Sequence, residues 1–278
     1  MTDEKIKNRL GSIIIVVIFL AGMTMLAYPS LSNYLAKRNV ISGSAEYGQK
    51  VTSMSEEEIE AAWDKAVDYN DSLKGDPVKD PYIEGSGMAL PGNYAEVLDV
   101  GDGIMGYISI PSIEVYIPIR HGTSDEVLEE GAGHLVQTAL PIGGEGTHSV
   151  ITAHTGYSKA KLFDHLTELE IGDKFIIYVL DKTLTYKVDN IQVILPEEIE
   201  ELKAVEGEDY VTLVTCTPYG VNSHRLLVRG KRTANDENEE KMSDQSVGIP
   251  WQLIAIVAVS LITLTAVIWW GRRNRRKK

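Results

Sequence analysis

The stretch TLVTCTPYGVNSHRLLVRG, residues 212–230, holds the only cysteine in a chain of 278 residues. It reads as two apolar strands around a polar break. Thr212 to Cys216 is β-branched and apolar, Thr217-Pro218-Tyr219-Gly220 interrupts it, and Arg225 opens a second apolar run. If the two runs are antiparallel neighbours, their ends meet and Cys216 lies beside Arg225 at the rim of a sheet. His224 then points to the opposite face, because successive strand residues alternate. A single cysteine forms no intramolecular disulfide; it is a small buried hydrophobe or a reactive thiol.

Working outward, the same short β-branched runs recur. GYISIP and VYIPIRHG, THSVITAH (147–154), KFIIYVLD (174–181) with TLTYKVDNIQVIL (183–195) as a hairpin pair, YVTLVT (210–215) and RLLVRGKR (225–232) make seven or eight strands. Short helical stretches are expected near 158–166 and 197–204. Many short strands with few helices argue for a closed or nearly closed β-barrel spanning residues 94–232. Before it, Ser55 and Glu58 form a capping-box signature, and Ile59, Ala62, Trp63, Ala66 and Tyr69 recur at helical spacing. This predicts a helix over about 56–72, within a helical segment 31–73. Residues 74–93, with three prolines and four glycines, read as irregular, and the polar stretch 233–248 reads as a tether.

Two segments are too apolar for a water-facing surface. Leu10 to Tyr28 and Ile249 to Trp270 carry no charge, and each is long enough to cross a hydrocarbon core about 30 Å thick. The expected spans are 10–30 and 249–270, with Trp251, Trp269 and Trp270 near the interfaces. The tail 271–278 holds six basic residues and no acid, which predicts a cytoplasmic C-terminus. The N-terminal residues 1–9, with Lys5, Lys7 and Arg9, are then cytoplasmic as well, against the opposing Lys37 and Arg38. A cleaved signal peptide is the alternative for the first segment. The outward part between the spans carries a net charge of about −20, which argues against nucleic acid or anionic lipid as partner.

A thiol outside the cell is exposed to oxidation, which favours its retention for chemistry. A nucleophilic thiolate needs a nearby cation or base, and acyl transfer needs a proton for the leaving amine and a donor for the oxyanion. Six histidines are candidates. His154 ends the strand SVITAH before a Thr-Gly turn, the same strand-end setting as Cys216. His121, His134 and His148 lie at turns or strand starts, His165 in the expected helix, and His224 on the face away from Arg225.

At these residues the chain resembles the sortases. TLVTC followed nine residues on by Arg225 matches their signature, and CTPYGVNSHRLLVRG is similar to class C, the pilin-polymerising members. MGYISIPSIEVYIPIRHGT (105–123), GAGHLVQTALPIGGEGTHSVITAHTGYSKAKLFDHL (131–166) and GDKF (172–175) follow in family order, so the resemblance covers about 75–232. It implies a sortase-type closed β-barrel between two transmembrane helices, on the outer face of a Gram-positive cell membrane. It implies Cys216 as nucleophile, His154 as general acid and base, and Arg225 as substrate orienter and oxyanion donor, with Thr215 contacting substrate.

The implied reaction attacks the Thr carbonyl of an LPxTG-like sorting signal, releases Gly, and passes the acyl group to a pilin lysine. The implied partners are pilins bearing that signal. Asp80-Pro81-Tyr82 matches the class C lid motif, implying a carboxylate near Arg225 and a ring over Cys216; Asp76-Pro77 does not match, since Val78 follows. Thr155 and Tyr157 depart from the common pattern. No metal or cofactor is called for. A wall-anchoring sortase using a peptidoglycan amine, and a catalytically silent binding module with a buried Cys216, are the competing readings.

Overall fold

Period-two alternation and β-branched content put the apolar runs into strands, and the strands close on themselves. The structure, a computed structural model, describes residues 2–73, 93–157, 159–198, 200–235 and 248–276. They fall into two units: a helical one, with residues 2–38, 159–160 and 248–276, and a barrel unit holding the described parts of 39–157 and 161–245.

In the helical unit, helix α1 (Thr2–Ser53) begins as the apolar segment expected at 10–30 but does not end there. It passes Pro29 and continues to Ser53, and its residues 39–53 belong to the barrel unit. Among the described residues, α1 is the helix long and apolar enough to cross a membrane. Its apolar side chains from Ile14 to Leu35 are largely exposed, as a lipid-facing surface requires. The C-terminal helix runs from Trp251 to Arg276, and its described apolar part, Trp251–Val267, is shorter.

In the barrel unit, helix α2 (Glu56–Ser72) has the capping box read from sequence: Ser55 Oγ accepts from Glu58 N at 3.2 Å, and Glu58 accepts from Ser55 N at 2.8 Å. Its apolar stripe docks as expected. Ala66 and Tyr69 are buried, and Tyr69 donates to the Val136 carbonyl at 3.2 Å. Asn70 grips the backbone of Leu140 from both sides, accepting from its N–H at 2.7 Å and donating to its carbonyl at 3.4 Å.

The barrel strands are β1 (Ile104–Ile110), β2 (Val115–His121), β3 (Ala132–His134), β4 (Thr147–Thr152), β5 (Lys174–Val179), β6 (Lys182–Ile194), β7 (Asp209–Thr217) and β8 (His224–Thr233). They close in the order β1-β2-β3-β4-β7-β8-β6-β5. The pairs β2–β3 and β4–β7 are parallel, and the others antiparallel. All of β1 is buried, because the last turns of α1 cover it: Tyr47 accepts from Leu180 N and donates to Met105 O, both at 2.9 Å. Leu135, Val150, Ile194, Leu202, Val214 and Leu227 pack into one apolar cluster that joins β4, β6, β7 and β8. Each such side chain contributes about 1.5–3 kcal/mol by leaving water.

Two elements went unread in the sequence: the three-residue β3 and helix α3 (Asp125–Glu130), which connects β2 to it. The helix expected at 158–166 is absent among the described residues. There the chain forms a loop ending in a short 3₁₀ turn at Leu166–Glu168. Asp164 holds that loop by accepting from Gly156 N at 3.2 Å and Leu162 N at 3.1 Å, bonds that compete with helix formation. The stretch near 197–204 is a single 3₁₀ turn, Glu200–Leu202.

Candidate active site

Antiparallel pairing of β7 and β8 sets Cys216 directly opposite Arg225, and Thr217 opposite His224. The turn between them contains a cis Thr217–Pro218 bond, and its Asn222 and Val221 N–H groups both donate to Pro218 O at 3.0 Å. Arg225 is buried, and its Nη1 donates to the carbonyls of Asn222 and His224, each at 3.2 Å. The guanidinium is therefore fixed by the turn's own backbone while its charge is kept at the barrel rim. His224 is turned toward Ser223, with Nδ1 2.9 Å from its hydroxyl.

The parallel pair β4–β7 brings in the third residue. Thr152 lies opposite Val214, and Ala153 N donates to Val214 O at 3.2 Å. Thr215 Oγ1 donates to Ala153 O at 2.8 Å. Carrying that register two residues past Thr152 brings His154 level with Cys216. Three neighbouring strands thus deliver His154, Cys216 and Arg225 to one end of the barrel. Cys216 and His154 are both partly buried, whereas Thr215 is 1% exposed and ties β7 to the end of β4 through its bond to Ala153.

The His154 ring stacks on Tyr157, centroids 5.9 Å apart. Burial pushes its pKa below the usual imidazole value, while Asp125 and Glu129 of α3 pull it back up. Gly156 has φ +78° and its Cα lies against the Tyr219 ring, 3.2 Å from where a Cβ would sit. Only glycine combines that left-handed backbone with that clearance. The turn after β4 thereby touches the turn after β7, a contact the sequence did not announce. The Asp80-Pro81-Tyr82 motif lies outside the described residues.

The other histidines are occupied in the fold. His134 is fully buried, with Nδ1 2.8 Å from Tyr94 Oη and Nε2 2.8 Å from Ala139 O. His148 contacts Thr212 Oγ1 at 2.7 Å and Lys203 O at 2.9 Å. His121 is anchored on the carbonyls of Val97 and Gly103 at 2.7 and 3.1 Å. His165 pairs with Glu168 at 2.6 Å. Among the described residues, no group of three or more His, Cys, Asp or Glu converges to hold a metal ion.

The Sortase domain family model matches residues 108–233. A sortase C-1 structure from Actinomyces oris is 48% identical, with a TM-score of 0.61 over 64% of this chain and 99% of that one. The chain belongs to the sortase family. A solved "pilus-related Sortase C" of Group B Streptococcus is 45% identical, TM-score 0.63, over 67% of this sortase and 94% of the other. Sortase A of Bacillus anthracis is 25% identical over 81% of this chain and 95% of its own length. This sortase is therefore a cysteine transpeptidase whose similar solved structures are class C enzymes.

Proposed function

We propose that this sortase polymerises pilins: Cys216 attacks the Thr carbonyl of an LPxTG-like sorting signal, and a pilin lysine amine resolves the resulting thioacyl-enzyme. The observation that supports the reading is the pairing of Cys216 with Arg225 across β7 and β8, with His154 two residues past the end of β4, the parallel neighbour of β7. The Cys216 thiolate adds to the carbonyl carbon, and the oxyanion forms beside the buried guanidinium of Arg225. His154 passes a proton to the departing glycine amine and later takes one from the incoming lysine amine. Thr215 acts through Ala153, holding β4 against β7, because its hydroxyl is turned inward. Similarity to a pilus-related sortase C supports a lysine acceptor over a wall precursor.

The apolar start of α1 anchors the enzyme, and the basic tail keeps the C-terminus cytoplasmic, so the barrel acts outside the cell. The lid reading of Asp80-Pro81-Tyr82 is supported by its sequence motif; if it covers Cys216, Tyr82→Ala speeds thiol labelling.

Intact mass spectrometry of the full chain in detergent, mixed with an LPxTG-type peptide, tests the reaction. An acyl adduct present in the native chain and missing in Cys216→Ala is expected. Adding a pilin-derived lysine peptide should discharge it faster than a peptidoglycan-type amine does. Adduct formation by Cys216→Ala refutes the mechanism, and preference for the wall amine reassigns the acceptor.

A further inference from the structure

The turns that follow β4 and β7 meet at one aromatic ring. Tyr219 stands three residues after Cys216, in the turn between β7 and β8. Its Cε2 and Cζ lie 3.2 and 3.3 Å from where Gly156 would carry a Cβ, and Gly156 follows His154 by two residues. β4 and β8 flank β7 on opposite sides. The turn leads on to β8 and Arg225, yet its ring leans back onto the turn that carries the histidine.

The turn is braced from within. Val221 and Asn222 N–H donate to Pro218 O at 3.0 Å, and Asn222 O accepts from Arg225 Nη1 at 3.2 Å. Even so, Tyr219 stays 70% exposed and Val221 69% exposed. Apolar residues scattered singly over a surface are ordinary. These two share one braced turn, within five residues of the thiol.

We propose that Tyr219 is a docking residue for the acceptor, its ring taking the ammonium and alkyl stem of the incoming lysine beside His154. The proposal rests on the reading of this sortase as one that transfers to a lysine amine. A lysine arrives protonated at neutral pH, since its ordinary pKa is about 10.4. It has to be held before its proton can pass to a base. The face of an aromatic ring attracts an ammonium within about 6 Å of its centroid, and the four-carbon stem packs on the same apolar surface. The departing glycine has no side chain to lay on a ring. The acceptor therefore gains more from Tyr219 than the leaving end of the sorting signal does.

Intact mass spectrometry of the full chain in detergent reads acylation and discharge separately. The enzyme is first charged with an LPxTG-type peptide, then mixed with a lysine peptide or with hydroxylamine, a small nucleophile uncharged at neutral pH. Tyr219→Leu keeps apolar cover on Gly156 but loses the ring face. In it, acylation and discharge by hydroxylamine should run at native rates. Discharge by the lysine peptide should slow about two- to five-fold at low peptide concentration and recover at saturation, a rise in KM at native kcat. Tyr219→Phe, which keeps the ring, should behave as the native chain does. Slowed acylation with unchanged lysine discharge overturns the proposal and gives the ring to the sorting signal. Equal slowing of discharge by lysine and hydroxylamine overturns it too, and makes the ring a support for the turn at Gly156. Native rates throughout in Tyr219→Leu likewise overturn it. A native thioacyl-enzyme that no lysine peptide discharges removes the lysine reading itself, and the proposal with it.

Discussion

Two histidines on neighbouring strands occupy opposite kinds of place. His134, on β3, is fully buried and both ring nitrogens are engaged, Nε2 donating to the Ala139 carbonyl and Nδ1 facing the Tyr94 hydroxyl. His154, two residues past the end of β4, is half-buried. Burial lowers the pKa of both, to about 4 for His134, but only His154 has carboxylates acting against it. The difference separates a histidine that locks the fold from one that burial and nearby carboxylates pull in opposite directions. A ring sealed among neutral acceptors is held neutral; a half-buried ring with carboxylates opposing its burial can change state.

The largest effect should come from exchanging roles between the two. His154→Ala should cut transfer by about 10³-fold or more while leaving thermal stability within about 1 kcal/mol. His134→Ala should do the reverse, losing about 2–4 kcal/mol of stability through a cavity and an unpaired Tyr94 hydroxyl, with near-normal turnover per folded molecule. Thermal denaturation beside single-turnover acylation reads both; an active His154→Ala would collapse the distinction.

Arg225→Lys comes next, with transfer expected to fall about 10²-fold. The lysine keeps the charge but loses the planar fork that Asn222 and His224 carbonyls hold. Because the residue is fixed by the turn, the loss should appear in kcat more than in KM. A mutant with native kcat would show that position, not fork geometry, is what matters at the rim.

The pH dependence of stability sharpens the contrast further. His134 is neutral in the fold, with its pKa lowered from 6.5 to about 4. The unfolded chain therefore binds a proton that the folded chain refuses, and stability falls as pH drops below about 6.5 and continues to fall toward pH 4. The full change is about 3 kcal/mol. His148, also lowered by burial, acts in the same direction. Denaturant titrations at neutral pH and near pH 4.5 should show the loss, and His134→Gln should shrink it; an equal loss in that variant would assign the acid sensitivity elsewhere.

What was legible in the sequence followed the range of the interactions. The hairpin of β5 and β6, the capping box of α2 and the Cys216–Arg225 pairing are local, and the pattern of residues carries them. His154 was singled out from its strand-end position, but its level with Cys216 depends on β4 pairing parallel to β7 across 62 residues, as in the Thr215–Ala153 bond. No local pattern encodes that. β3 is too short to display alternation, and DEVLEE is too short to display a helical stripe, so the element carrying Asp125 and Glu129 went unread. The loop after His154 has helix-like apolar spacing at Leu162, Phe163 and Leu166, yet Asp164 ties its backbone into a turn.

Thr215 gives the smallest effect and the finest discrimination. The sortase resemblance implies a substrate contact for it, yet in the fold it is 1% exposed and donates to Ala153 O at 2.8 Å. Thr215→Val keeps the shape and removes that bond, at a cost of about 1 kcal/mol in stability. If the hydroxyl only fixes β4 against β7, its loss lets the spacing between His154 and Cys216 drift. Transfer should then slow a few-fold in kcat, with KM for the peptide unchanged. A substrate contact predicts the opposite split, a raised KM at native kcat, because uniform binding energy is lost rather than alignment. Steady-state kinetics on this one variant decides whether the strand next to the nucleophile touches the substrate or only aims the residues that do.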